Sequence, residues 1–274
     1  SDWSSDVCSS DLNDKRNDRR SAGENGKMII FTPETHKDKL EMYKLGKYNA
    51  DDLMCNLVGD NYPILLVMSR FGISLGFGDR SIGTVCRESG VDTETFLAVV
   101  NLLVDGDDWC ERPTDTVSIE SLLVYLHNSH DYFLNYRLPA IRRKLFEAID
   151  YRLNDVAIAV LRFFDEYAAE VRKHMNYEEK RVFPYVRTLL EGRMNETFNI
   201  EDFRRKHDSV EAKLGELKNI LIKYYPGTGS NELNGVLFDI FTCEEDLAAH
   251  NRIENDLFVP AVTGVEEKLG GKQS

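Results

Sequence analysis

The sequence is poor in several residue types, and each shortage closes a class of function. Only five of its 274 residues are cysteine, at positions 8, 55, 86, 110 and 243. They are scattered and never stand as a CxxC pair. That argues against both a zinc-thiolate site and a disulfide framework, and fits a reducing cytoplasm, which is the expected location. No apolar run approaches the roughly 18 residues a membrane-spanning helix needs, and no basic-then-apolar leader with a small-residue cleavage site is seen, so neither a membrane nor export is expected. Positive charge is also short. Lys and Arg number 34 against 47 Asp and Glu, for a net charge of −13. Such a surface repels phosphate, which makes nucleic acid and anionic lipid poor partners. Histidine is scarce as well, at six, and its placement is the most informative feature of the chain.

What is present is ordinary for a globular protein: 42% hydrophobic and 30% charged residues, with enough length to build proper cores. Residues 1–27 are polar and aperiodic and read as a disordered, non-native leader ahead of Met28. Residues 28–104 read as a small helical domain, with ADDLMCNLV, YPILLVMSRFG, SIGTVCRESG and VDTETFLAVVNLLV at helical spacing and Gly59, Gly72 and Gly90 as helix ends. Residues 105–117, polar and interrupted by Pro113, read as a linker. From Ser118 the pattern predicts four long helices near 119–148, 155–190, 200–224 and 232–258, broken at Asn154, Gly192, the PGTGS run and Pro260, with a flexible tail over 263–274. The expected class is therefore all-α: an up-down four-helix bundle over 118–262, preceded by the small helical domain.

Within the bundle a pair of helices is written twice. His130 and His207 are each followed by Asp; His174 and Glu178 form HMNYE, and His250 and Glu254 form HNRIE. Each HxxxE runs on to a proline at the same offset, Pro184 and Pro260. The two HD pairs lie 77 residues apart and the two HxxxE pairs 76 apart. Residues at i and i+4 share a helix face, so each HxxxE aims one imidazole and one carboxylate at a common region. Two such pairs, with one His from each remaining helix, make a donor set for two ions: His130, His174, Glu178, His207, His250 and Glu254. Two octahedral ions offer about twelve positions; with both glutamates bridging and an oxo or hydroxo bridge, about two remain for water or a diatomic ligand. The set mixes imidazole and carboxylate without thiolate, which suits two iron ions best, while manganese or zinc could use the same atoms. A bare HxxxE is weak, since i,i+4 charge pairs are common on solvated faces. Four histidines in one repeated register, flanked by Phe133, Phe183 and Phe258, are a far stronger signal. His127 is expected to support the site or lie on the surface, and His36 has no assigned role.

These motifs resemble the hemerythrin-like (HHE) cation-binding domain, and within it the repair-of-iron-centres family. HMNYEEKRVFP and AHNRIENDLFVP are similar to its second and fourth helix motifs, SHDYFLNYRLP to its first, and RRKHDSVEAKL stands where the third helix supplies its single His. The resemblance implies a non-haem di-iron centre that binds or reduces nitric oxide or O2 under nitrosative or oxidative stress, with a link to the repair of iron–sulfur proteins as partners. FGISLGFGDRSIGTVC resembles the same family's N-terminal domain, but Gly76 and Phe77 replace its Cys-Cys pair, so thiol-borne iron delivery is not expected from this turn. Cys86 is expected to be a buried structural thiol. The stretch from Ser81 to Leu103 also resembles a helix-turn-helix, yet residues 47–110 hold four basic residues against ten acidic ones, which counts against DNA. The alternatives are a non-catalytic O2 or redox sensor or iron-binding module, and a metal-free buried hydrogen-bond network.

Overall fold

The computed structural model describes residues 48–105, 116–149, 155–194, 198–204, 212–225 and 231–271, all within one compact unit spanning Gly46–Ser274. The expected leader, residues 106–115 of the expected linker, His36 and His207 lie outside the described residues. Among those described, every regular element is helical, apart from an isolated antiparallel bridge between Leu53 and Ser81.

Four short helices come first: α1 (Met54–Asp60), α2 (Ile64–Arg70), α3 (Ile82–Glu88) and α4 (Thr93–Asp105). Ser81 caps α3 by accepting from the Thr84 N–H, and Asp92 accepts from the Thr95 N–H at the start of α4, each satisfying a donor the first turn leaves free. Gly72 and Gly90 close α2 and α3 at φ of 75° and 69°, a region that favours glycine. Gly59 departs from expectation: it lies inside α1.

The bundle then follows as α5 (Ile119–Asp131) and α6 (Leu138–Ala148), α7 (Asp155–Tyr177) and α8 (Phe183–Leu190), α9 (Ile200–Arg204) and α10 (Ala212–Tyr224), and α11 (Asn231–Ile253) and α12 (Val259–Gly270). Three of these pairs are single helices joined by π-helical turns, at Tyr132–Arg137, Glu178–Val182 and Glu254–Phe258. One residue separates each turn from a proline, Pro139, Pro184 or Pro260. A helical proline has no N–H to donate, and its ring crowds the carbonyl four residues back. The widened turn absorbs that conflict. The residue before each proline donates to a carbonyl five residues back: Leu138 to Phe133, Phe183 to Glu178, Val259 to Glu254. Pro260 therefore does not end its helix, and the expected tail is corrected over residues 263–270, which continue α12 with Val265 and Leu269 packed on the core.

Two apolar clusters fill the interior. One joins the N-terminal helices to one end of the bundle, including Phe96, Leu126, Val182, Phe183, Ile253 and Phe258. The other fills the opposite end, including Phe133, Phe164, Met175, Leu217, Ile240 and Leu247. Along three bundle helices the boundary between them falls at the same level: after Leu126 and before Phe133, after Met175 and before Val182, after Leu247 and before Ile253. The interval holds His130, Glu178 and His250. A polar layer thus crosses the molecule between two dry cores. No described helix is long and apolar enough to cross a membrane.

Candidate metal centre

Four side chains of that layer converge. Ligating atoms of His130, Glu178, His250 and Glu254 all lie within 4.8 Å of one another. Exposure of the four is 3% or less. Each arrives from a bundle helix at or beside a π turn: His130 near the end of α5, Glu178 at the first residue of its turn, and His250 near the end of α11, one helical turn before Glu254. His174, the helical partner of Glu178, completes the described group. Its Nε2 stands 2.8 Å from Glu178 Oε1, while His130 Nε2 stands 2.9 Å from Glu178 Oε2. The two oxygens of one carboxylate thus face imidazoles from two different helices. His250 Nε2 is 3.2 Å from Glu254 Oε1 in the second pair.

Aromatic rings wall the pocket. Phe183 lies parallel to His130 with centroids 5.4 Å apart, Phe133 meets His250 edge-on at 5.9 Å, and the two imidazoles are themselves 5.2 Å apart. Burying two carboxylates in such a place costs free energy unless positive charge accompanies them. In the metal-free chain the histidines supply it. Burial opposes a charge on His130, but its hydrogen bonds to Glu178 and Glu179, together with the Glu178 and Glu254 charges, outweigh that and push its pKa up to about 9. His174 shifts the same way: burial opposes the charged ring, but its hydrogen bond to Glu178 and the Glu178 and Glu254 charges together outweigh it.

The donor set fits a metal on its chemistry. It is imidazole and carboxylate, acceptor-rich and buried. Its Nε2–O separations of 2.8–3.2 Å match the edge of an octahedron whose bonds are roughly 2.1 Å. A cation can therefore take the place the ring protons hold.

One supporting residue escaped the sequence reading. Glu179 Oε1 hydrogen-bonds His130 Nδ1 at 2.8 Å and His127 Nδ1 at 3.0 Å. With Nδ1–H donating to Glu179, Nε2 is the nitrogen turned into the pocket, the usual way a carboxylate fixes a ligating imidazole. Burial works against the Glu179 charge, but the two histidines hold its pKa below the ordinary carboxylate value. His127, 59% exposed, is thus a surface residue that touches the site through Glu179. The doubled glutamate in HMNYEE was the available signal. Replacing Glu179 with alanine is expected to weaken metal binding by about 10–100-fold without abolishing it. Chelator competition measures this, and an unchanged affinity removes Glu179 from the account.

The profile of one protein family, Hemerythrin HHE cation binding domain, matches residues 125–262, half of the chain. The chain belongs to this family. No curated protein matches the chain. The hemerythrin domain so delimited contains all six residues singled out from the sequence. The structure brings together five of them, and the sixth, His207, lies outside the described residues.

Two buried thiols among the described residues stand apart from this chemistry. Burial pushes Cys86 and Cys243 up to about 12, so neither forms a thiolate near neutrality. Both are expected to resist iodoacetamide at pH 8 in the native protein and to react once it is unfolded. Mass-spectrometric detection of native labelling at either would show that its burial is not maintained.

Proposed function

We propose that the hemerythrin domain of this protein holds a non-haem di-iron centre and uses it on a small diatomic, nitric oxide or O2. The observation that carries the reading is Glu178, a fully buried carboxylate whose two oxygens each face a different imidazole. One oxygen per ion is the arrangement of a bridging ligand. Glu254 would bridge in the same way from the second copy of the motif, with His130, His174 and His250 as terminal ligands and His207 as the sixth by the register of the repeat. When bound, the iron pair supplies redox capacity and open positions for a diatomic.

The protein's own part is to hold and shield. Glu179 aims His130, the two HxxxE pairs present their donors in register, and Phe133, Phe183 and Phe258 keep bulk water from the pocket, strengthening every electrostatic interaction inside it. The raised proton affinity of His130 and His174 means that metal uptake must displace protons, so affinity rises with pH. A role in nitrosative or oxidative stress, with a link to iron–sulfur repair, follows from the resemblance rather than from the pocket. The turn at Gly76 and Phe77 carries no thiols, which favours chemistry confined to the bundle.

Protein purified from iron-replete cells should contain two irons per chain and show the visible absorption of a bridged ferric pair. Catalytic consumption of nitric oxide by the reduced protein would make it an enzyme, and reversible O2 binding without turnover a sensor. Iron-replete protein with no stoichiometric metal would leave only a buried hydrogen-bond network.

A further inference from the structure

The helix face that carries each HxxxE holds one more metal-competent residue. Glu170 stands four positions before His174, and Asp246 four before His250, so both copies read acid-x3-His-x3-Glu. Positions four apart share a face, yet neither acid belongs to the described group of converging ligands. In both copies a cation from another helix holds the extra acid. Glu170 pairs with Lys213 at the partly exposed rim. Asp246 is buried, and its partner comes from outside the bundle altogether.

That partner is Arg70, the last residue of α2. Its Nη2 lies 2.6 Å from Asp246 Oδ2, across 176 positions of sequence, with the two side chains only 3% and 8% exposed. Arg70 Nη1 donates to the Tyr125 hydroxyl at 3.3 Å, and its guanidinium lies 5.1 Å from the ring of Phe133, the residue that packs against His250. The backbone carbonyl of Arg70 accepts from Asn128 Nδ2 at 2.7 Å. The arginine is thus pinned at both ends to α5, the helix of His130.

We propose that Arg70 fixes the ligand set of the metal centre by holding Asp246 out of it, so that Glu254 is the carboxylate α11 contributes. The inference rests on the metal reading above. Its physical basis is that a buried carboxylate one turn from His250 cannot stay uncompensated. Without Arg70, a metal ion held at His250, one helical turn away, would supply a cation in its place. The N-terminal helices are, on this account, a determinant of coordination at the hemerythrin centre, and Arg70 is a positioning residue acting through Asp246.

Cobalt(II) titration of the metal-free full chain, with chelator competition and visible absorption, tests this. Arg70→Met should shift the cobalt bands and change the Kd by ~10-fold or more. Arg70→Met/Asp246→Asn should return the bands to the wild-type positions, because a neutral amide is a poor substitute ligand. Asp246→Asn alone, which leaves Arg70 an acceptor, should keep wild-type bands, and it keeps the proposal open to refutation if Arg70→Met does not fold. Altered bands in Asp246→Asn, wild-type bands in Arg70→Met, or bands in the double variant that stay where Arg70→Met put them would each overturn the proposal. A wild-type chain that takes up no cobalt would instead remove the metal reading, and this inference with it.

Discussion

Replacing Glu178 with alanine is expected to empty the centre and to destabilise the metal-free chain. The first effect follows from position: Glu178 faces His130 with one oxygen and His174 with the other, so its loss removes a donor from both halves of the site. Metal content should fall from two ions per chain to a small residue, read by elemental analysis after desalting. The second effect does not depend on metal. Hydrogen bonds to Glu178 raise the pKa of both His130 and His174. Without it each buried imidazolium keeps its desolvation cost and loses a counter-charge within hydrogen-bond reach. Breaking one side of a buried pair costs about 3–5 kcal/mol, visible as a lower urea midpoint of the metal-free protein. Glu254→Ala should behave alike toward metal. Full metal content in Glu178→Ala would end the ligand assignment.

The stability of the metal-free chain should fall as pH rises from 6.5 to 9. His130 has a pKa of 6.5 when unfolded and about 9 when folded. The folded state therefore binds its proton more tightly, and the stabilisation is complete below 6.5 and lost as pH passes through the folded value. A shift of that size corresponds to roughly 3 kcal/mol. The raised His174 contributes in the same direction. Urea midpoints at pH 6 and 9.5 measure the difference, and His130→Gln should flatten it. A midpoint that is constant or rises across this window would mean that the buried imidazole is neutral in the metal-free fold. Loading metal should abolish the dependence, since the ring nitrogens no longer exchange protons there.

Local patterning carried the helical architecture a long way. Periodicity at 3.6-residue spacing located the described bundle helices closely except for the end of the last, which runs on to Gly270, because each must turn an apolar face to a core. Gly72, Gly90 and Gly192 close helices with positive φ, as glycines after a periodic run should. Pro260 misled for an equally local reason. A proline normally ends a helix, and only the π turn formed by Glu254–Phe258 lets the backbone pass it. The constant offset from glutamate to proline in both copies was visible in the sequence, but its meaning, a widened turn that begins at the ligand, required the hydrogen-bond pattern.

The sequence by itself determined that two helix pairs repeat one register, and that this register places His174 with Glu178 and His250 with Glu254, because positions four apart on a helix necessarily share a face. Helical geometry says nothing about which faces meet across a bundle. Tertiary packing alone decided that Glu178 spans two histidines, that Glu179 turns His130, and that Arg70 reaches Asp246 from a helix 176 positions away. Those contacts depend on how two apolar cores close around a polar layer, and that closure is a property of the whole chain.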